Sequence, residues 1–138
     1  MRARQHALLL MQAIAVWAAF WLAGRPDYFQ QYATVPMAVA CTLLSALFGL
    51  FALFLLARVR SGRRMNRALW LSFYYSVPLF VLDWLYCGVY LGLGLDFLRS
   101  HWYLTVFYVS IWLQFPPTAW LLDRLATAPT ASPHGARA

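Results

Sequence analysis

Four apolar runs, at about 7–23, 35–57, 68–95 and 102–122, take up most of the chain and leave only short polar breaks between them. Each approaches or exceeds the ~20 residues an α-helix needs to cross a hydrocarbon layer of ~30 Å. In such a layer every backbone N–H and C=O must be satisfied inside its own segment, so these runs are expected as helices. With 63% hydrophobic and only 11% charged residues, the 138-residue chain also departs from the composition of a soluble domain. The expected fold is therefore all-α: a polytopic integral membrane protein whose residues 1–126 form a four-helix transmembrane bundle. A small, polar, Pro-rich tail over 127–138 reads as disordered and cytoplasmic.

The runs differ in character. Arg2 and Arg4 precede the first as they would a secretory signal, but no convincing small-x-small cleavage site follows it, so it reads as a retained helix. Residues 28–34 form an aromatic, polar loop suited to headgroup level, and Pro36 suits the first turn of the next helix. The second run holds only Cys41, Thr42 and Ser45 as polar side chains, all able to bond their own helix backbone. The third contains Pro78, Asp83, Gly88, Gly92 and Gly94, and the fourth carries Ser110, Gln114 and Pro116-Pro117, a pair expected to kink or loosen its last turns.

All eleven basic residues are Arg and all four acidic residues are Asp. Nine of the Arg fall on one side of the proposed spans: Arg2, Arg4, Arg58, Arg60, Arg63, Arg64, Arg67, Arg124 and Arg137. Only Arg25 and Arg99 fall on the other. The positive-inside rule then puts both termini and the central Arg loop in the cytoplasm. The Arg- and Ala-rich, Lys-free composition is that of high-GC coding, so the expected location is the cytoplasmic (inner) membrane of a bacterium. Because the Arg sit between apolar runs instead of on an amphipathic surface, no nucleic-acid partner is expected. Trp17, Trp21, Trp70, Trp102 and Trp120 lie near predicted helix ends as interfacial anchors, whereas Trp84 and Trp112 do not.

Asp83 stands out because it falls about 13 residues into the third run, roughly 20 Å from its Arg-rich end. A carboxylate at that depth costs about 2.5–3.5 kcal/mol, so it should face a partner, a wet cavity or the bundle interior. Helical spacing puts Ser76, Leu79, Phe80, Tyr86, Cys87 and Tyr90 on its face. Counting depth along antiparallel spans sets Ser45 and Ser110 level with it, with Gln12, Tyr75 and Gln114 as a shallower layer. The candidate ligand-binding or proton-relay residues are thus Asp83, Tyr86, Tyr90, Ser110, Gln114 and Tyr75, lining a cavity for a cationic or amphipathic ligand. The competing reading makes Asp83 structural glue, bonded to a Tyr or Ser hydroxyl across a helix interface.

Three further features carry paired readings. Arg58, Arg60, Arg63, Arg64 and Arg67 are candidates for anionic lipid, at about 1 kcal/mol each near such a surface, or simply set topology. His101 is a candidate pH sensor, or part of a solvated loop with a local Asp96–Arg99 ion pair. Gly88, Gly92 and Gly94, like Ser45 with Gly49, suit close helix contact, or line a substrate path with backbone. Cys41 and Cys87 read as small hydrophobes, and His101 with Met11 and Met37 makes no plausible haem pair, so no cofactor and no metal are expected. Paired carboxylates and a nucleophile beside a base are lacking, and the catalytic residues of any enzyme are not identified. The first function class is a transporter, or a protein handling a lipid or amphipathic ligand in a cavity around Asp83, as a homo-oligomer because four spans enclose little volume. An accessory subunit of a larger membrane complex is the second, and a membrane enzyme acting on a lipid or isoprenoid the third. Membrane lipids are partners in all of them.

Overall fold

The computed structural model describes residues 3–127, and among them the chain is all-helical. Helix α1 spans Ala3–Ala23, the short α2 Pro26–Phe29, and α3 Thr34–Ala57. Helix α4, Arg64–Asp83, runs on into a seven-residue π-helical stretch, Trp84–Tyr90. After a 3₁₀ turn at Gly94–Asp96 come the short α5, Phe97–Ser100, and the 26-residue α6, Trp102–Thr127. Three helices are long and apolar enough to cross a membrane: α1, α3 and the continuous Arg64–Tyr90. Helix α6 is not one of them, its Trp, Tyr, Gln114 and paired prolines offsetting its aliphatic residues. Of the expected tail, Thr127 is the last residue of α6, and 128–138 lie outside the described residues.

Local chemistry accounts for the ends. Pro26 opens α2 and Pro36 lies in the first turn of α3, positions where a missing N–H costs nothing. The third apolar run was expected to continue helically to residue 95, but the helix ends at Tyr90. Gly92 and Gly94 take positive φ, 72° and 56°, a conformation open to glycine and strained for other residues. Open space surrounds the Cβ position of both, so they make the turn and not a helix contact. Gly88 alone of the three serves packing: a Cβ there would meet the Trp84 ring at 2.6 Å and the Gly94 carbonyl at 2.9 Å. Pro116 and Pro117 withdraw two N–H donors, yet α6 continues through them to Thr127.

Helix α4 packs on α6, α6 also packs on α3, and α1 packs on α4, while α1 and α3 scarcely touch. The four long helices therefore form an open arc. At the Arg58–Arg67 end the arc is tight. There Leu9, Ala52, Leu56, Ala68, Leu71, Ile111, Phe115 and Ala119 make one buried cluster, with three alanines admitting close backbone approach. Arg64 locks that end: Nε donates to the Val59 carbonyl (2.9 Å), and Nη1 to the Leu122 carbonyl (2.9 Å) and Asp123 Oδ1 (3.1 Å). At the opposite end the helices splay, and the smaller cluster of Ala13, Leu79 and Tyr108 leaves space beside it.

Candidate functional site

Asp83 is the last residue of α4 proper and is 5% exposed. Helix α1, packed along α4, brings Trp17 to it, and α6 brings Tyr108. The Trp17 indole Nε1 donates to Oδ1 at 2.7 Å, and the Tyr108 hydroxyl donates to Oδ2. Both carboxyl oxygens thus accept a bond from a different helix, and three helices are tied at one point. Neither partner was among the sequence candidates. Trp17 reads as an interfacial anchor and Tyr108 as one aromatic among many, although an indole N–H and a phenol O–H are among the donors a buried carboxylate needs. Both residues could have been found by asking for donors at the depth of Asp83.

Beside this knot, between the splayed α1 and α3, lies a cavity of about 410 Å³. Trp17, Phe20 and Trp21 of α1 form one wall and Met37, Ala40, Cys41 and Leu44 of α3 the other. Leu104, Phe107, Tyr108 and Ser110 of α6 back it, Leu79 and Asp83 of α4 close its deep end, and Pro26 and Phe29 of α2 cover its outer end. Its polar side chains are bonded within the protein. Ser110 Oγ donates to the Phe107 carbonyl at 2.8 Å, and the Tyr103 hydroxyl donates to the Pro26 carbonyl. All of the residues that line it belong to one chain.

Of the sequence candidates, Asp83 and Ser110 reach this cavity together. Tyr75 instead packs in the cluster at the Arg-rich end, against Phe115. Gln114 faces α3, where Nε2 donates to Ser45 Oγ at 2.6 Å and Gly49 leaves room for its side chain. Its Oε1 is buried with no hydrogen-bond partner. Tyr86 and Tyr90 stack on each other at 5.6 Å, with Tyr90 78% exposed and the Tyr86 hydroxyl donating to Asp27 Oδ2 at 3.4 Å. The π-helical stretch is the reason: its wider turns hold more residues, so positions three and seven after Asp83 lose the alignment an α-helix would give them. Gln12, assigned to an interior layer, is exposed on α1.

The outer end is more ordered than a solvated loop. His101 is 1% exposed because it lies one helical turn after the fully buried Phe97, on the face that α5 turns inward. Its Nδ1 lies 3.0 Å from Ser100 Oγ, and its Nε2 lies 3.1 Å from the Gln30 amide and 3.4 Å from Asp27 Oδ1. The carboxylate facing it comes from α2, and among the described residues the expected Asp96–Arg99 pair does not form. On the Arg-rich loop, Arg64 is committed to protein partners and Arg58 lies over the Phe54 ring at 3.9 Å. Arg60 and Arg63 are exposed, and Arg67 is half-buried. Trp112, in mid-helix, sends its Nε1–H to Ser76 Oγ at 2.8 Å across the α4–α6 contact. No group of three or more His, Cys, Asp or Glu is placed to hold a metal ion among the described residues. Set against known protein families, curated proteins and solved structures, the chain matches none of them.

Proposed function

We propose that the chain is a four-span protein of a bacterial cytoplasmic membrane that binds a lipid or other amphipathic molecule in the cavity between α1 and α3. Its termini and Arg loop face the cytoplasm in this reading, from the Arg distribution, and α6 is the fourth span. At ~1.5 Å per residue its length suffices, although aromatic and proline residues lower its hydropathy. One observation carries the function: a concave, almost wholly apolar space of about 410 Å³ between the helices, with Asp83 the single carboxylate in its lining. Small-molecule sites have that form, a hydrophobic lining with few polar groups. The knot of Trp17, Asp83 and Tyr108 gives the closed end its shape by fixing the three helices that meet there.

Native mass spectrometry of the protein released gently from its own membrane tests this. The expected result is the chain retaining a defined lipid or amphiphile, lost in the Ala40→Trp variant, whose indole would fill the space. A chain that carries no small molecule and instead holds a larger protein in fixed ratio would overturn the reading and make it an accessory subunit.

A further inference from the structure

The outer end of the cavity adjoins a second, polar pocket of about 350 Å³, lined by Gln30, Thr34, Ser100 and Trp102. The two share Phe29, Tyr32, Met37 and Tyr103 in their walls, so the polar pocket abuts the apolar one at the end away from Asp83. Their chemistry is opposite. In the deep part the polar atoms are already matched, with Asp83 holding Trp17 and Tyr108 on its two oxygens and Ser110 bonded to its own backbone. A charged or hydrogen-bonding group inserted there would find little to replace its water. In the outer pocket the Gln30 amide N–H, the Ser100 hydroxyl and the Tyr32 hydroxyl are bonded to neighbours, which leaves the Thr34 hydroxyl and the Gln30 amide oxygen to meet a guest, and none of its lining residues carries a formal charge.

We infer that the ligand enters chain-first: one alkyl chain lies in the deep cavity with its end against Leu79 and the Trp17–Asp83–Tyr108 knot, and a hydrogen-bonding head of no net charge sits in the outer pocket. This rests on the binding function proposed above and reverses the polarity expected of a cation site at Asp83. Volume sets the chain length. Taking a methylene as close to a water molecule's share of liquid volume, at about 30 Å³, the space takes roughly thirteen of them, the length of one common acyl chain. The chain could belong to a single-chain amphiphile or be one of the two chains of a membrane phospholipid whose other chain stays outside, between α1 and α3.

Photocrosslinking of the full-length protein in nanodiscs tests the orientation. The probes are lysophosphatidylcholines of about 14 carbons bearing a diazirine either at the chain terminus or beside the head, with modified residues read by mass spectrometry. The expected result is terminal labelling at Leu44 and Leu79 and head-proximal labelling at Phe29, Tyr32 and Met37. Unlabelled alkyl maltoside should compete at least as well as the anionic fatty acid of equal length. The reverse pattern, with the head-proximal probe at Leu44 and Leu79, would overturn the inference while leaving a ligand-binding cavity in place. Stronger competition by the fatty acid would overturn the neutral head. Absence of saturable labelling by either probe would overturn both this inference and the binding function. A parallel two-chain phosphatidylcholine probe separates the sources: equal terminal labelling assigns the chain to a membrane phospholipid, and labelling by the lysolipid alone to a single-chain amphiphile.

Discussion

Tyr108→Phe removes one hydroxyl from the knot and almost nothing else. The ring keeps its edge-on contact with Phe80, at 5.7 Å and 81°, so packing should not change. What is lost is the donor to Asp83 Oδ2 on a residue 5% exposed. Interhelical hydrogen bonds in membranes average about 0.6 kcal/mol and reach about 1.7 kcal/mol. Leaving a buried acceptor unpaired costs about 1–3 kcal/mol. With Trp17 still holding Oδ1, the expected loss is about 1–2 kcal/mol, a five- to thirtyfold shift in the folding equilibrium. The assay is reversible unfolding in mixed micelles as the fraction of denaturing detergent rises, followed by helical circular dichroism. The same change is then made in an Asp83→Leu background, where Tyr108 has no carboxylate to lose and its removal should cost less than about 0.5 kcal/mol. Equal losses in the two backgrounds would mean that the Tyr108–Asp83 bond contributes nothing, and the reasoning built on the knot would fail.

Arg64→Ala should lower stability by about 1–3 kcal/mol in the same assay, because it strips partners from two carbonyls and Asp123, whereas the exposed Arg60→Ala should stay within about 0.5 kcal/mol. Gly88→Ala should cost about 1–3 kcal/mol by driving a methyl into the Trp84 ring and the Gly94 carbonyl, read as reduced thermal stability in detergent. His101→Ala removes the group that Gln30 and Asp27 hold beneath α2. Its outcome should be faster maleimide labelling of Cys41 on the cavity wall, with the fully buried Cys87 unchanged.

Helix positions were legible from hydropathy because a bilayer-length apolar run leaves the backbone little choice but to bond to itself. Asp83 was legible for the same reason, as the lone carboxylate within those runs. Its partners were not. Aromatic N–H and O–H groups sit in apolar sequence without changing its pattern, so Trp17 and Tyr108 look like anchors or core until the helices are assembled. The assignment of Tyr86 and Tyr90 to the face of Asp83 assumed α geometry that the π stretch does not keep. His101 was read from the polarity of its neighbours, whereas its burial comes from its spacing after Phe97 and from α2, more than seventy residues earlier in the chain. Gly92 and Gly94 show a similar limit: small size suits both helix contact and tight turns, and only the backbone angles tell them apart.

The arc of helices works like a clothes-peg. Its pivot is the alanine-lined end, clamped by Arg64, and its jaws are α1 and α3, which share almost no contact. Few contacts join α1 directly to α3, so on the binding function proposed above a guest would enter by a local opening that leaves the pivot closed and loosens the bonds by which Tyr103 and His101 hold α2 across the outer end. Substitutions near Ala52, Ala68 and Ala119 should therefore alter how firmly the protein holds together, and those near Trp21 and Met37 how long it keeps its guest. On the proposed function, strength and turnover would then fall to opposite ends of the same four helices.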